Sequence, residues 1–207
     1  GFSRAVVAPF ADFFARNGVL AIFILLFIST FRLTDITMGI MANPFYLDLG
    51  FSKLEIANVT KIFGFFMTMF GAAIGGVVVM RYGFYRPLLW GAILSAATNL
   101  LFAWMSEVGP DINFLMAVVS MDNFSGGFAG ATFIAYLSSL TNSAYTATQY
   151  ALFSSLMTLP AKVMGGFSGI IVDGYGYHSF FIYTAILGLP AILLILYLAR
   201  NRMGDVH

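Results

Sequence analysis

Six apolar stretches, each long enough to cross a bilayer as a helix, dominate this chain. They run at about 18–46, 53–79, 87–106, 112–140, 147–172 and 179–199. At about 1.5 Å rise per residue, a helix of roughly 20 residues crosses a hydrocarbon core of roughly 30 Å. With no water there to bond the backbone, a spanning segment of this kind closes its hydrogen bonds within itself. The expected fold class is therefore an all-α membrane protein, a bundle of six transmembrane helices. Composition points the same way: 9% of the residues are charged, against about 25% in soluble domains.

Turn and cap signals punctuate the spans. Asn43-Pro44 closes the first. Ser52 followed by Glu55 reads as a capping box opening the second. Pro87 opens the third, Gly109-Pro110 precedes the fourth, and Pro160 predicts a kink inside the fifth. Residues 1–17 place Val6, Val7, Phe10, Phe13 and Phe14 at helical spacing, which suggests an interfacial amphipathic segment or cytoplasmic connector. A flexible lead-in is the alternative. The chain begins at Gly1 without a signal peptide, so it reads as a piece of a longer polypeptide.

Loop charges give an orientation. Arg4 and Arg16, Arg81 and Arg86, and Arg200 and Arg202 fall on one side. Asp48, Lys53, Glu55, Glu107, Asp111, Asp173 and His178 fall on the other. The positive-inside rule then places both termini, including the 201–207 tail, in the cytoplasm. A weak internal repeat accompanies this topology. Gly76-Val-Val-Val-Met80-Arg81-Tyr82-Gly83-Phe84 resembles Gly169-Ile-Ile-Val-Asp173-Gly174-Tyr175-Gly176-Tyr177. The two copies join the second helix of a trio to its third on opposite sides of the membrane, the pattern of a 3+3 inverted repeat.

Polar residues inside the spans follow the same trios. Arg32 and Asp35 lie on the first span at i, i+3 spacing, Lys61 on the second, Asp122 and Asn123 on the fourth, and Lys162 on the fifth. The third and sixth spans are almost purely apolar, with Asn99 the main exception. Intramembrane charge is costly and faces a bundle interior or a wet cavity. One reading is a polar crevice in which Arg32, Lys61, Asn123 and Lys162 bind an anionic small molecule. Asp35 and Asp122 would then exchange coupling protons. The competing reading is structural: self-contained ion pairs, and lysines that snorkel to water. The chain has no Cys, and its two His lie outside the spans, so neither a metal, a cofactor nor an intramembrane enzyme is expected. Net charge +1 says little about partners, because the location of charge matters more than its sum in a membrane protein; the expected partners are lipid, the substrate and protons, with no nucleic acid.

Gly76-x-x-x-Met80-Arg81-x-Gly83-x-x-Arg86 resembles the loop motif G-x-x-x-D-R-x-G-R-R of the major facilitator superfamily. Met80 stands where that family prefers Asp, which removes the acid from the motif. The stretches VVAPFADFFARN, FRLTDITM, NVTKIFG, MDNFSGGFAGATFIAYLSSLTN and SAYTATQYALFSSL are similar to those of its muropeptide permeases, a group that also contains acetyl-CoA transporters. The resemblance implies half of a major facilitator fold, matching the second six helices. It also implies a proton-driven importer of anhydromuropeptides in the bacterial inner membrane, used in cell-wall recycling. A preceding six-helix half, or a second copy, would complete it. Import of another anionic solute, such as a siderophore or acetyl-CoA, and a non-transporting receptor or assembly role are the alternatives.

Overall fold

The computed structural model describes residues 1–203, so His207 and the end of the 201–207 tail lie outside the described residues. The described chain is built of helices. α1 runs Phe2–Asn17, α2 Leu20–Phe31, α3 Leu33–Leu49 and α4 Lys53–Val59. A π-helical turn, Thr60–Gly64, joins α4 to α5 (Phe65–Tyr82). α6 (Tyr85–Val108), α7 (Ile112–Ser139), α8 (Thr146–Gly165), α9 (Ser168–Ile186) and α10 (Leu189–Met203) follow. Among the described residues, four stretches are long and apolar enough to cross a membrane: Leu20–Leu49, Lys53–Tyr82, Tyr85–Val108 and Ser168–Arg202.

Local chemistry sets the ends. Ser52 Oγ accepts from the Glu55 N–H at 3.1 Å while Glu55 accepts from the Ser52 N–H at 2.8 Å, so the capping box forms. Asp111 caps α7 by accepting from the Asn113 and Phe114 N–H groups. Gly50 (φ 115°) turns the chain out of α3 in the left-handed region, which only glycine enters cheaply. Pro160 does not stop α8, which runs on to Gly165. The interruptions fall elsewhere. One is at Arg32 (φ −93°, ψ 4°), between α2 and α3, and another at Gly176 (φ 82°, ψ 169°), inside α9.

α5 and α7 cross almost backbone to backbone. A side chain at Gly71 would collide with the Phe124 carbonyl, and one at Gly127 with the Thr68 carbonyl. This is close small-residue packing of the kind that joins helices without a hydrophobic driving force.

Two aromatic-rich clusters make the core. One gathers Phe13, Phe27, Phe31, Phe133, Tyr136 and Phe153; the other gathers Phe45, Tyr46, Phe102, Phe180 and Phe181 with Met105. Polar residues separate them along the α2–α3, α6, α7 and α9–α10 paths. Arg32, Thr34 and Asp35 follow Phe31 and precede Met38. Thr98 and Asn99 lie between Ala92 and Phe102, Asp122 and Ser125 between Val119 and Ala129, and Thr184 between Phe181 and Ala191. The fold therefore places a polar layer across the middle of the bundle.

Candidate functional site

Arg32 occupies the break between α2 and α3, so its side chain leaves the helix axis at mid-bundle. Its guanidinium pairs with Asp35, one turn into α3. Both side chains are partly buried, and Arg32 Nε is buried without a partner among the described residues. Gly130 on α7 makes room for it, since a Cβ there would sit 3.4 Å from Arg32 Nη1. Asp122, two turns earlier on α7, lies close enough to interact electrostatically with Asp35, Arg32 and Tyr46. Thr98 of α6 offers it a long hydrogen bond of 3.4 Å. Arg32, Asp35 and Asp122 thus form one constellation across the α2–α3 break and α7.

Asn123 projects about 100° further round α7 and belongs to a second constellation. Its side-chain oxygen accepts from Thr68 Oγ1 at 3.1 Å, and its amide donates to the Val119 carbonyl at 2.8 Å. Thr60, Lys61, Gly64, Phe65, Thr68 and Asn123 line a cleft of about 480 Å³ between the π-helical turn, α5 and α7. Lys61 is exposed there and also borders a neighbouring cleft of about 410 Å³ with Asn43 and Lys53. π-helical turns recur at functional sites, because the extra residue re-aims side chains. Lys162 joins neither group. It is exposed in the last turn of α8.

Charge and spacing did not single out the supports of this layer. Asn99, buried to 1% exposure, donates to Thr184 Oγ1 at 3.0 Å and lies 3.5 Å from the Thr34 carbonyl just beyond the break. The Thr34 and Thr37 hydroxyls are buried and lack partners among the described residues. The adjacent Thr98-Asn99 pair in an otherwise apolar helix was the available signal. Gln149, near the α7–α8 turn, is 1% exposed and bonded to α1.

Of the loop-motif residues, Gly76 lies inside α5, while Arg81, Gly83 and Arg86 flank the α5–α6 turn. Gly83 takes φ 76° there. Arg81 stacks 5.6 Å from the Tyr82 ring centroid. Met80 is 81% exposed, and neither Arg81 nor Arg86 makes an ion pair among the described residues.

The profile of the Major Facilitator Superfamily matches residues 18–205. The chain belongs to that superfamily. It is of a transporter family, not an enzyme family, and is a multi-pass membrane protein. Its relatives agree with that placement. The chain is 36% identical over 197 residues to "Putative transporter AmpG 4" of Rickettsia felis, covering 95% of this chain and 47% of the relative. It is 32% identical over 194 residues to the "Anhydromuropeptide permease" of Escherichia coli K12, covering 93% of this chain and 39% of that protein. An uncharacterized protein of Haemophilus influenzae is 32% identical over 206 residues, with 96% and 48% covered. The chain spans about half the length, or less, of the curated relatives it matches.

Proposed function

We propose that this chain is one six-helix half of a proton-driven importer of anhydromuropeptides in the bacterial inner membrane. Both termini would be cytoplasmic, and a preceding six-helix half or a second copy would complete the carrier. The six spans would be 20–49, 53–82, 85–108, 112–139, 146–175 and 177–203, with the last two divided at Gly176. A 3+3 inverted repeat gains support from the glycines that its two copies align. Gly83 (φ 76°, ψ −164°) and Gly176 (φ 82°, ψ 169°) share one backbone conformation.

The observation that carries the reading is the meeting of Arg32, Asp35 and Asp122 in a mid-bundle polar layer, in a chain similar to a named permease. In alternating access, two halves rock about a midplane site. Asp35 and Asp122 take and release the coupling proton there, with Arg32 as the cation that Asp35 holds until substrate arrives. Lys61 and Asn123 present a cation and an amide to the carboxylate and amide groups of a peptide-bearing sugar. Lys162 would add attraction from α8. The loop-motif residues Gly76, Arg81, Gly83 and Arg86 would shape the cytoplasmic turn between α5 and α6.

The test begins with the coding sequence upstream, where six further spans are expected. The complete protein is then expressed in cells lacking their own muropeptide permease. Uptake of radiolabelled N-acetylglucosaminyl-anhydromuramyl peptide is followed with and without an inward proton gradient. Gradient-driven uptake that disappears in Asp35→Asn and Asp122→Asn is the expected result. Unchanged uptake in both variants removes the coupling role, and no uptake by the complete protein removes the importer reading.

A further inference from the structure

α1 is attached to the bundle in an unusual way. Only Pro9 and Phe13 of its residues are buried. Phe10 and Phe14 border an apolar cleft of about 590 Å³ between α1, α2 and α8 rather than filling it, with Ile22, Leu26, Leu156 and Leu159 on its other walls. Such an interface forgoes the dispersion contacts that close packing provides. Phe13, edge-on to Phe153 at 5.1 Å, is the one α1 ring buried in the core, and polar bonds supply the rest of the attachment. Gln149, at the start of α8, donates from its amide to the Pro9 carbonyl and to Asp12, both at 2.9 Å. Its oxygen accepts from the Asn142 N–H at 2.7 Å and from Arg16 at 3.2 Å. Asn142 donates to Asp12 at 2.9 Å, and Arg16 donates to Asp12 and to the Leu140 carbonyl, both at 2.9 Å.

We propose that α1 is a releasable clamp on the α7–α8 turn, closed by Asp12, Arg16, Asn142 and Gln149, and that α1 and the turn open as one unit. Each of the four residues bonds both within its own segment or to Gln149 and across the α1–turn junction, so losing the centre releases both partners together. Once those bonds break, Phe13 packed edge-on against Phe153 at 5.1 Å is the main apolar contact left to hold α1, beside the open cleft. The helices freed at this end are α7, which carries Asp122 and Asn123, and α8, which carries Lys162. The clamp stands on geometry alone and does not depend on the transport reading.

Hydrogen–deuterium exchange of the chain in lipid nanodiscs tests it without any transport assay. Amides of residues 5–17 and of 140–146 are expected to exchange at matching rates, faster than the buried α6 amides around 98–103. Gln149→Leu removes four bonds and is expected to speed both segments about tenfold or more, leaving α6 unchanged. In an Asp12→Cys/Asn142→Cys variant, a short thiol cross-linker is expected to slow both; the chain has no other Cys to react. Three results would overturn the clamp. They are rates for α1 and the turn that differ by more than about tenfold, indifference of both to Gln149→Leu, or an equal acceleration of α6.

Discussion

Two polar constellations lie at different depths of this bundle, and they are finished to different degrees. In the network at the α1 end, Gln149 uses both of its polar atoms, and Asp12 accepts on both oxygens. In the mid-bundle layer, Arg32 Nε and the Thr34 and Thr37 hydroxyls are buried without partners among the described residues, and Asp122 has one long bond. Buried polar groups are normally paired. A satisfied network specifies a contact; a partly satisfied one stores the capacity to bind something else. The contrast teaches that clamp and site are separable by their hydrogen-bond accounts, although both contain an acid beside an arginine.

The largest effect that sharpens this contrast is expected at Arg32. Arg32→Leu leaves Asp35 partly buried without its cation, at a cost of about 2–4 kcal/mol after allowance for its exposure. Arg32→Leu combined with Asp35→Leu should recover part of that loss. Unfolding midpoints in mild detergent measure both variants, and a double variant no better than the single would mean the pair does not act as a unit. Next comes the α5–α7 crossing that holds Asn123 over the cleft. Gly127→Ala meets the Thr68 backbone and should cost about 1–3 kcal/mol. Gly126→Ala, with open space around its Cβ, should be neutral or slightly stabilising. The same unfolding measurement ranks them.

Asn99→Leu strips Thr184 of its buried donor and should cost about 1–3 kcal/mol, a loss felt at the layer and not at α1. The clamp responds differently to pH. Hydrogen bonding from Gln149 first, then from Asn142 and Arg16, holds the Asp12 carboxyl below its ordinary value of 3.8. A folded-state value below the unfolded one means that its contribution is complete above about pH 4 and is lost only as pH falls through the lowered value. Exchange of α1 amides should therefore stay level from neutral pH to about pH 5, once intrinsic rates are divided out. An acceleration within that range would remove Asp12 from the clamp.

How much of this was legible in the sequence differs between the two constellations. Helical length, the Ser52–Glu55 cap and the Arg32–Asp35 pairing follow from local spacing, because i, i+3 neighbours meet on any helix. The break at Arg32 does not, since leucines and threonines around it favour no particular stop. Nor does the division between the Asp122 and Asn123 environments, which depends on which neighbour faces each side of α7. Gln149 is the least legible of these residues. A glutamine near a loop reads as an interfacial residue, and only the docking of α1, about 140 residues away in sequence, buries it. Asn99 gave a signal, a polar residue in an apolar helix, but its partners on α3 and α9 lie 65 and 85 residues away.

The smallest expected effect is at the end of the bundle opposite α1, and it bears on whether that end carries a clamp of its own. Tyr177 donates to Asp48 at 2.5 Å, and His178 Nδ1 lies 3.2 Å from Glu107 and 3.1 Å from the Ala103 carbonyl. These contacts flank the Gly176 break, as the α1 network flanks the α7–α8 turn. The His178 and Glu107 side chains, however, are 47% and 64% exposed, where ion pairs contribute about 0–1 kcal/mol and long side chains lose entropy in meeting. Glu107→Gln should therefore change the unfolding free energy by less than about 0.5 kcal/mol and leave amide exchange around residues 173–180 unaltered. Local exchange that rises as far as Gln149→Leu raises it in α1 would mean both ends are clamped. The contrast would then lie between the layer and its two ends.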